Sequence, residues 1–313
     1  MRVVFIRVRV TPAHTPAIRD AVRNATPSVA GIHFKGATSA ISVPPRIVAT
    51  ARRKKRKLPV IRKAKVSLPS KINLIRLSAL LFVRTHMDHA VVIEPNQPAE
   101  AAVIWLHGLG ASGHDFEPAV PLLGLGDRPI RFIFPHAPER PVTVNGGMVM
   151  PAWYDIEHMD IERTIDVSGI QESANRVDHI IAAQMAAGIP ANQIALVGFS
   201  QGGAVALYAG VRTTEPLAGI LALSTYWVGA QDPTLKSGCD PSDVSIEIHH
   251  GTADPVVPYE LGEQAFETLT ALGYPVTFQA FDMPHSVVPE QLRAIGDWMA
   301  RHFTFDSPTR SKE

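Results

Sequence analysis

The stretch from Gln193 to Val211 constrains the fold more than any other part of the chain. Its apolar opening, Ile194-Ala-Leu-Val197, reads as a buried strand, and the Ala- and Leu-rich residues after Gly203 read as the start of a helix. Between them stands Gly198-Phe199-Ser200-Gln201-Gly202, a G-x-S-x-G sequence. A serine at such a strand-to-helix corner is forced into a strained, exposed conformation. The flanking glycines are needed because any Cβ there would collide with the neighbouring backbone. The helix N-terminus below the serine offers unpaired N–H groups and a positive partial charge to a developing oxyanion. Ser200 is therefore the candidate nucleophile.

With 46% hydrophobic residues among 313, the chain can build a sizeable core and is not a disordered one. Cys239 is the single cysteine, so no intrachain disulfide can form, and its turn-like setting, Lys236 to Pro241, marks it as an incidental thiol. Met1–Val10 places Arg7 and Arg9 where a signal peptide needs its apolar core. The run Leu74–Val83, interrupted by Arg76, is too short and too charged to span a bilayer. A cytoplasmic protein is the expectation.

The formal charge of +1 conceals a sharp division. Residues 1–86 carry 19 Lys and Arg against one acid, Asp20, whereas residues 87–313 carry 11 against 28. The abrupt change is best accounted for if translation begins at Met87 and the preceding residues are an upstream frame. A disordered tail and a functional basic arm are the other readings. The cluster Ala51-Arg-Arg-Lys-Lys-Arg-Lys57 could bind nucleic acid or an anionic surface, and the acid-poor composition also resembles a transit peptide. The acidic remainder would repel a phosphate backbone, so nucleic acid is not an expected partner of the folded part. The expected organisation is a basic extension over 1–86, one α/β domain over 87–303 and a polar tail over 304–313.

From Met87 onward, apolar runs alternate with helical patterns. Strands are expected at Ala90–Ile93, Ala101–Leu106, Ile130–Phe134, the run before Ser200, Leu217–Leu223, Val244–Ile248 and Val276–Phe281. Helices are expected over Ile170–Met185, after Ser200, over Tyr259–Leu272 and over Pro289–Phe303. The Pro- and Gly-rich excursion Val142–Asp155 has no strong periodicity. Such alternation implies an α/β fold with a mainly parallel sheet and helices on both faces.

In such a sheet, functional groups gather at the carboxyl ends of the strands. Four ends carry polar punctuation: His107-Gly108, Ser200, Asp254 and His285. A serine hydroxyl needs a base to take its proton, an imidazole suits that task near neutral pH, and the imidazole needs a carboxylate to fix its tautomer. Ser200 is assigned as nucleophile, His285 as general base and then acid, and Asp254 as the orienting carboxylate. Asp240 and Asp243 precede their strand, and Asp282 abuts the strand bearing His285, so all three suit the role less well. His249 and His250 point to opposite faces of a strand and read as core or rim residues rather than metal ligands. Gly108-Leu-Gly-Ala-Ser-Gly113 matches a dinucleotide fingerprint, but the next strand ends in Pro135-His136 without the required acid. It reads better as an oxyanion loop donating the N–H of Leu109, with Gln201 giving the second. Trp153 and Trp227 are candidates to line an acyl pocket. Such a triad calls for no metal or organic cofactor.

Five motifs resemble the phospholipase/carboxylesterase family of α/β-hydrolases: Leu106-His-Gly-Leu-Gly110, Pro135-His-Ala-Pro138, Gly198-Phe-Ser-Gln-Gly-Gly203, Gly251-Thr-Ala-Asp-Pro-Val-Val-Pro258 and Pro284-His285. The family contains bacterial carboxylesterases and acyl-protein thioesterases, and the resemblance runs from about Met87 to Phe303. It implies an α/β-hydrolase fold without a large cap, a Ser200/Asp254/His285 triad, an oxyanion hole from Leu109 and Gln201, and hydrolysis of carboxylic esters or thioesters, with lysophospholipase activity as an alternative.

Overall fold

The computed structural model describes residues 90–157 and 164–305. The basic cluster at 51–57, the start at Met87 and the residues after Phe305 lie outside that range.

Nine strands are present among the described residues: β1 (Ala90–Ile93), β2 (Ala101–Leu106), β3 (Ile130–Pro135), β4 (Glu139–Val142), β5 (Met148–Pro151), β6 (Ile194–Phe199), β7 (Gly219–Leu223), β8 (Ile246–Gly251) and β9 (Val276–Phe281). The helices are α1 (Val167–Ala186), α2 (Gln201–Arg212), α3 (Tyr259–Ala271) and α4 (Pro289–His302). Seven strands form one sheet in the order β1-β3-β2-β6-β7-β8-β9. All neighbours run parallel except the edge strand β1, which lies antiparallel to β3. β4 and β5 form a separate antiparallel hairpin inside the excursion that sequence periodicity leaves unassigned.

The alternation of side chains builds two cores. On β2, Ala102, Ile104 and Leu106 face the layer of α1, α2 and α3, while Ala101, Val103 and Trp105 face α4 and the turn at Glu117–Leu122. Every residue of β2, β6, β7 and β8 is buried, as expected of strands covered on both faces. That accounts for the near-continuous apolar sequences of β2, β6 and β7, while β8 buries Glu247, His249 and His250 as well.

Several boundaries shift by one to three residues from expectation, and two of the shifts have identifiable reasons. α1 begins at Val167 rather than Ile170 because the Asp166 side chain accepts from the N–H of Gly169 and caps the first turn. β8 continues through His249 and His250 to Gly251, both imidazoles being buried in it. Past α4, Thr304 is tied back to the domain, its hydroxyl accepting from Nε2 of Gln193 at 3.0 Å.

The chain leaves β2 for β3 on one side and leaves β6 for β7, β8 and β9 on the other. The connections therefore diverge between β2 and β6, and a crevice opens above their carboxyl ends. His107 follows β2 and Ser200 follows β6, so both stand at this switch point.

Candidate active site

The backbone of Ser200 sits at φ 56° and ψ −122°, a left-handed geometry costly to a residue with a Cβ. Hydrogen bonds on both sides of the residue hold it there. Its N–H donates to Leu223 O at 2.9 Å, and its carbonyl accepts from Gly203 N–H at 2.9 Å and from the Thr225 hydroxyl at 2.6 Å. A Cβ at Gly198 would lie 2.3 Å from Gly202 O, and one at Gly202 would lie 2.5 Å from the carbonyl oxygens of both Leu106 and His107. The glycines thus let the elbow close on itself and let α2 press against the end of β2.

Asp254 and His285 meet across the ends of β8 and β9. The Nδ1–H of His285 donates to Asp254 Oδ2 at 2.6 Å, and Oδ1 accepts from the N–H groups of Val256 and Val257, both at 2.9 Å. The carboxyl group is thereby fixed from both sides, and the imidazole is left with its bare nitrogen, Nε2, available as a base. That nitrogen is buried and has no hydrogen-bond partner among the described residues. Its ring packs 4.7 Å from the ring of Phe199, the residue immediately before the serine. The Ser200 hydroxyl and Nε2 are not hydrogen-bonded in this structure; such contacts in unliganded enzymes often tighten only when substrate binds. Ser200, Asp254 and His285 are each 8% exposed.

The loop after β2 lies against the elbow. A Cβ on Gly108 would be 3.5 Å from Ser200 Cβ. Gly110 N–H donates to Pro151 O at 2.8 Å, and Gly113 N–H donates to Nδ1 of His136 at 3.0 Å, fastening the loop to β5 and to the end of β3. The N–H of Leu109 and that of Gln201 have no acceptor among the described residues. The first N–H groups of a helix lack intrahelical partners, which accounts for Gln201.

Trp153 lies inside the core, 1% exposed. Its indole N–H donates to His107 O at 2.8 Å, and its backbone N–H donates to the side-chain oxygen of Gln201 at 2.9 Å. The Gln201 amide nitrogen in turn donates to Tyr154 O at 2.7 Å, so the excursion is fastened to both the elbow and the loop. Trp227 is half-buried and borders a cavity of about 310 Å³ with Val211, Leu235, Leu272 and Tyr274. Val211 lies at the far end of α2, roughly 15 Å along the helix from the serine at about 1.5 Å per residue.

His249 pairs with Glu247 at 2.8 Å, and His250 donates from Nε2 to Val257 O at 2.9 Å. Burial lowers the pKa of His250, which keeps it neutral. No group of side chains suited to hold a metal ion occurs among the described residues. Sequence reasoning marked His107 only as a polar residue at a strand end and gave it no role. The signal for it was present, a histidine between a buried strand and a glycine.

The sequence pattern described as Phospholipase/Carboxylesterase matches residues 87–303. Acyl-protein thioesterase 1 of Cryptococcus neoformans is 36% identical over 233 residues, covering 69% of this chain and 97% of that protein. Acyl-protein thioesterase 1 of Neurospora crassa is 39% identical over 209 residues, covering 64% and 85%. The crystal structure of SOBER1 from Arabidopsis thaliana superposes with a TM-score of 0.61 at 30% identity, covering 65% of this chain and 99% of that one. The seven-stranded sheet, the serine elbow and these similarities together make this chain a member of the phospholipase/carboxylesterase family, an α/β-hydrolase acting on ester bonds.

Proposed function

We propose that Ser200, His285 and Asp254 form a catalytic triad that hydrolyses acyl esters and thioesters through an acyl-enzyme. The observation that carries this reading is the 2.6 Å hydrogen bond from His285 to an Asp254 carboxyl group already held by two backbone N–H groups. It sets the imidazole in the one tautomer that can take a proton from serine.

In the first step Ser200 Oγ attacks the acyl carbonyl carbon as its proton passes to His285 Nε2. The oxyanion is stabilised by the N–H groups of Leu109 and Gln201. His285 then gives that proton to the leaving oxygen or sulfur as its bond to carbon breaks. A water molecule repeats the attack on the acyl-enzyme, its proton going to Nε2 and on to Ser200 Oγ, and the carboxylic acid departs. Every proton transfer runs through Nε2, so the sequence needs no metal or cofactor.

The acyl-protein thioesterases among the relatives favour an acyl thioester as the physiological substrate. Trp153 keeps no surface with which to meet an acyl chain, and the cavity that Trp227 borders lies at the far end of α2 from Ser200.

Ser200→Ala should abolish turnover of p-nitrophenyl esters and of an S-palmitoylated peptide alike, and Asp254→Asn should lower kcat on the order of 10⁴-fold. Near-full activity of Ser200→Ala would refute the triad. Turnover of the palmitoylated peptide no faster than that of a short oxygen ester would refute the thioester preference.

A further inference from the structure

The imidazole of His107 is 1% exposed and does two things at once. Its Nε2 accepts from the N–H of Ala137 at 3.0 Å, so this nitrogen is bare. Its Nδ1 lies 2.8 Å from Gly108 O, and because a carbonyl only accepts, Nδ1 carries the proton. The ring therefore bridges the loop after β3 to the Gly108–Leu109 peptide of the loop after β2. That peptide joins Gly108 C=O to Leu109 N–H, and no cis bond occurs among the described residues. In a trans peptide the C=O and N–H point in opposite directions from one rigid plane. Whatever grips Gly108 O thus aims Leu109 N–H the other way.

We infer that His107 is a positioning residue for the oxyanion hole: its Nδ1–H locks the Gly108–Leu109 peptide so that the Leu109 N–H faces the reacting carbonyl oxygen. The inference rests on the reading of Ser200 as nucleophile and Leu109 as oxyanion donor. Ala111 N–H also reaches Gly108 O, at 3.2 Å, but the shorter bond comes from the buried ring. Trp153 braces the same residue from its other side by donating to His107 O.

The two arms of the ring can be separated. Asn at position 107 can place an amide N–H where Nδ1 lies, whereas Gln reaches toward Ala137 and loses the donor to Gly108. With folding checked by circular dichroism, His107→Gln should lower kcat about 10²- to 10³-fold with little change in KM, as for loss of one oxyanion donor. An alkylboronic acid, which forms a tetrahedral anion on Ser200, should lose affinity by a comparable factor. His107→Asn should recover at least about tenfold of both losses. Equal kcat in the Gln, Asn and wild-type proteins, or a fall in kcat without a fall in boronate affinity, overturns the inference. In the wild-type enzyme, a nitrogen-correlated spectrum of the histidine rings should show ring 107 protonated at Nδ1 and bare at Nε2. A bare Nδ1 overturns the inference whether or not the variants fold. Activity surviving in Ser200→Ala would sink the underlying hydrolase mechanism; an inactive Ser200→Ala beside a fully active His107→Gln sinks this inference alone.

Discussion

Acid should destabilise this enzyme through His107. A second proton on that ring would sit on Nε2, directly opposite the Ala137 N–H that Nε2 now accepts. Burial, reinforced by the nearby His136 and only partly opposed by Gly108 O and Asp115, lowers its pKa from 6.5 to about 4. An unfolding chain takes up that proton below about pH 6.5, while the folded protein resists until about pH 4. In that window the unfolded state binds more protons, so stability falls as the pH falls. An interval of about 2.5 pH units, at about 1.4 kcal/mol per unit, amounts to about 3 kcal/mol, fully present above the window and gone at its lower end. Burial lowers the His250 pKa as well, so the wild-type curve alone cannot isolate one ring. The comparison with His107→Gln can, because His250 contributes alike to both proteins. Urea unfolding followed by tryptophan fluorescence, from about pH 7 to about pH 4.5, should show the wild-type advantage over the variant shrinking by about 2 to 3 kcal/mol. An advantage that stays constant across that range would refute the argument that the folded enzyme holds this ring neutral.

Other substitutions test the joints of the site. Ser200→Gly should be inactive yet no less stable than the wild type, because relief of the strain at φ 56° is worth about 1 to 3 kcal/mol against about 0.5 to 1 kcal/mol for added flexibility. A lower melting temperature would show that the corner is not strained. Gly251→Ala would place a Cβ 2.3 Å from Met283 O, between the loops that carry Asp254 and His285. A displacement of about 1 Å there should cost about 10²-fold in kcat, and unchanged kcat would show that the loops yield freely. Gln201→Ala strips Trp153 N–H of its acceptor and should cost about 1 to 3 kcal/mol in thermal unfolding, with no loss if the bridge is dispensable.

The parts of the fold legible in the sequence are those whose surroundings are uniform. β2, β6 and β7 are covered on both faces and show as unbroken apolar runs. The hairpin of β4 and β5 did not show, because Pro141 and Pro151 interrupt it and Met148 and Val149, 55% and 61% exposed, make no alternation. Pairing direction is a tertiary property, so nothing local marked β1 as antiparallel. β8 outran its expected end because His249 and His250 are polar in sequence but find partners inside, Glu247 for one and Val257 O for the other. The elbow was legible because its strain is local and needs glycines at fixed offsets. The role of Trp153 was not. Its indole meets a carbonyl 46 positions away, and no pattern along the chain announces that contact.

The glycines at 198, 202 and 251 explain how the segments at these strand ends are held with so little freedom. Each lies where one backbone segment touches another: Gly198 against Gly202, Gly202 against the end of β2, and Gly251 against the loop bearing His285. Main-chain contacts of this kind cannot rearrange by changing rotamer, so the separations they set are properties of the sheet rather than of flexible loops. The side chains then need only short hydrogen bonds to finish the geometry, as Asp254 does with Val256 and Val257, and His107 with Gly108 and Ala137. Groups held this way have little reorganisation left to undergo when charge develops on the substrate, which is the condition under which backbone N–H donors contribute most to rate.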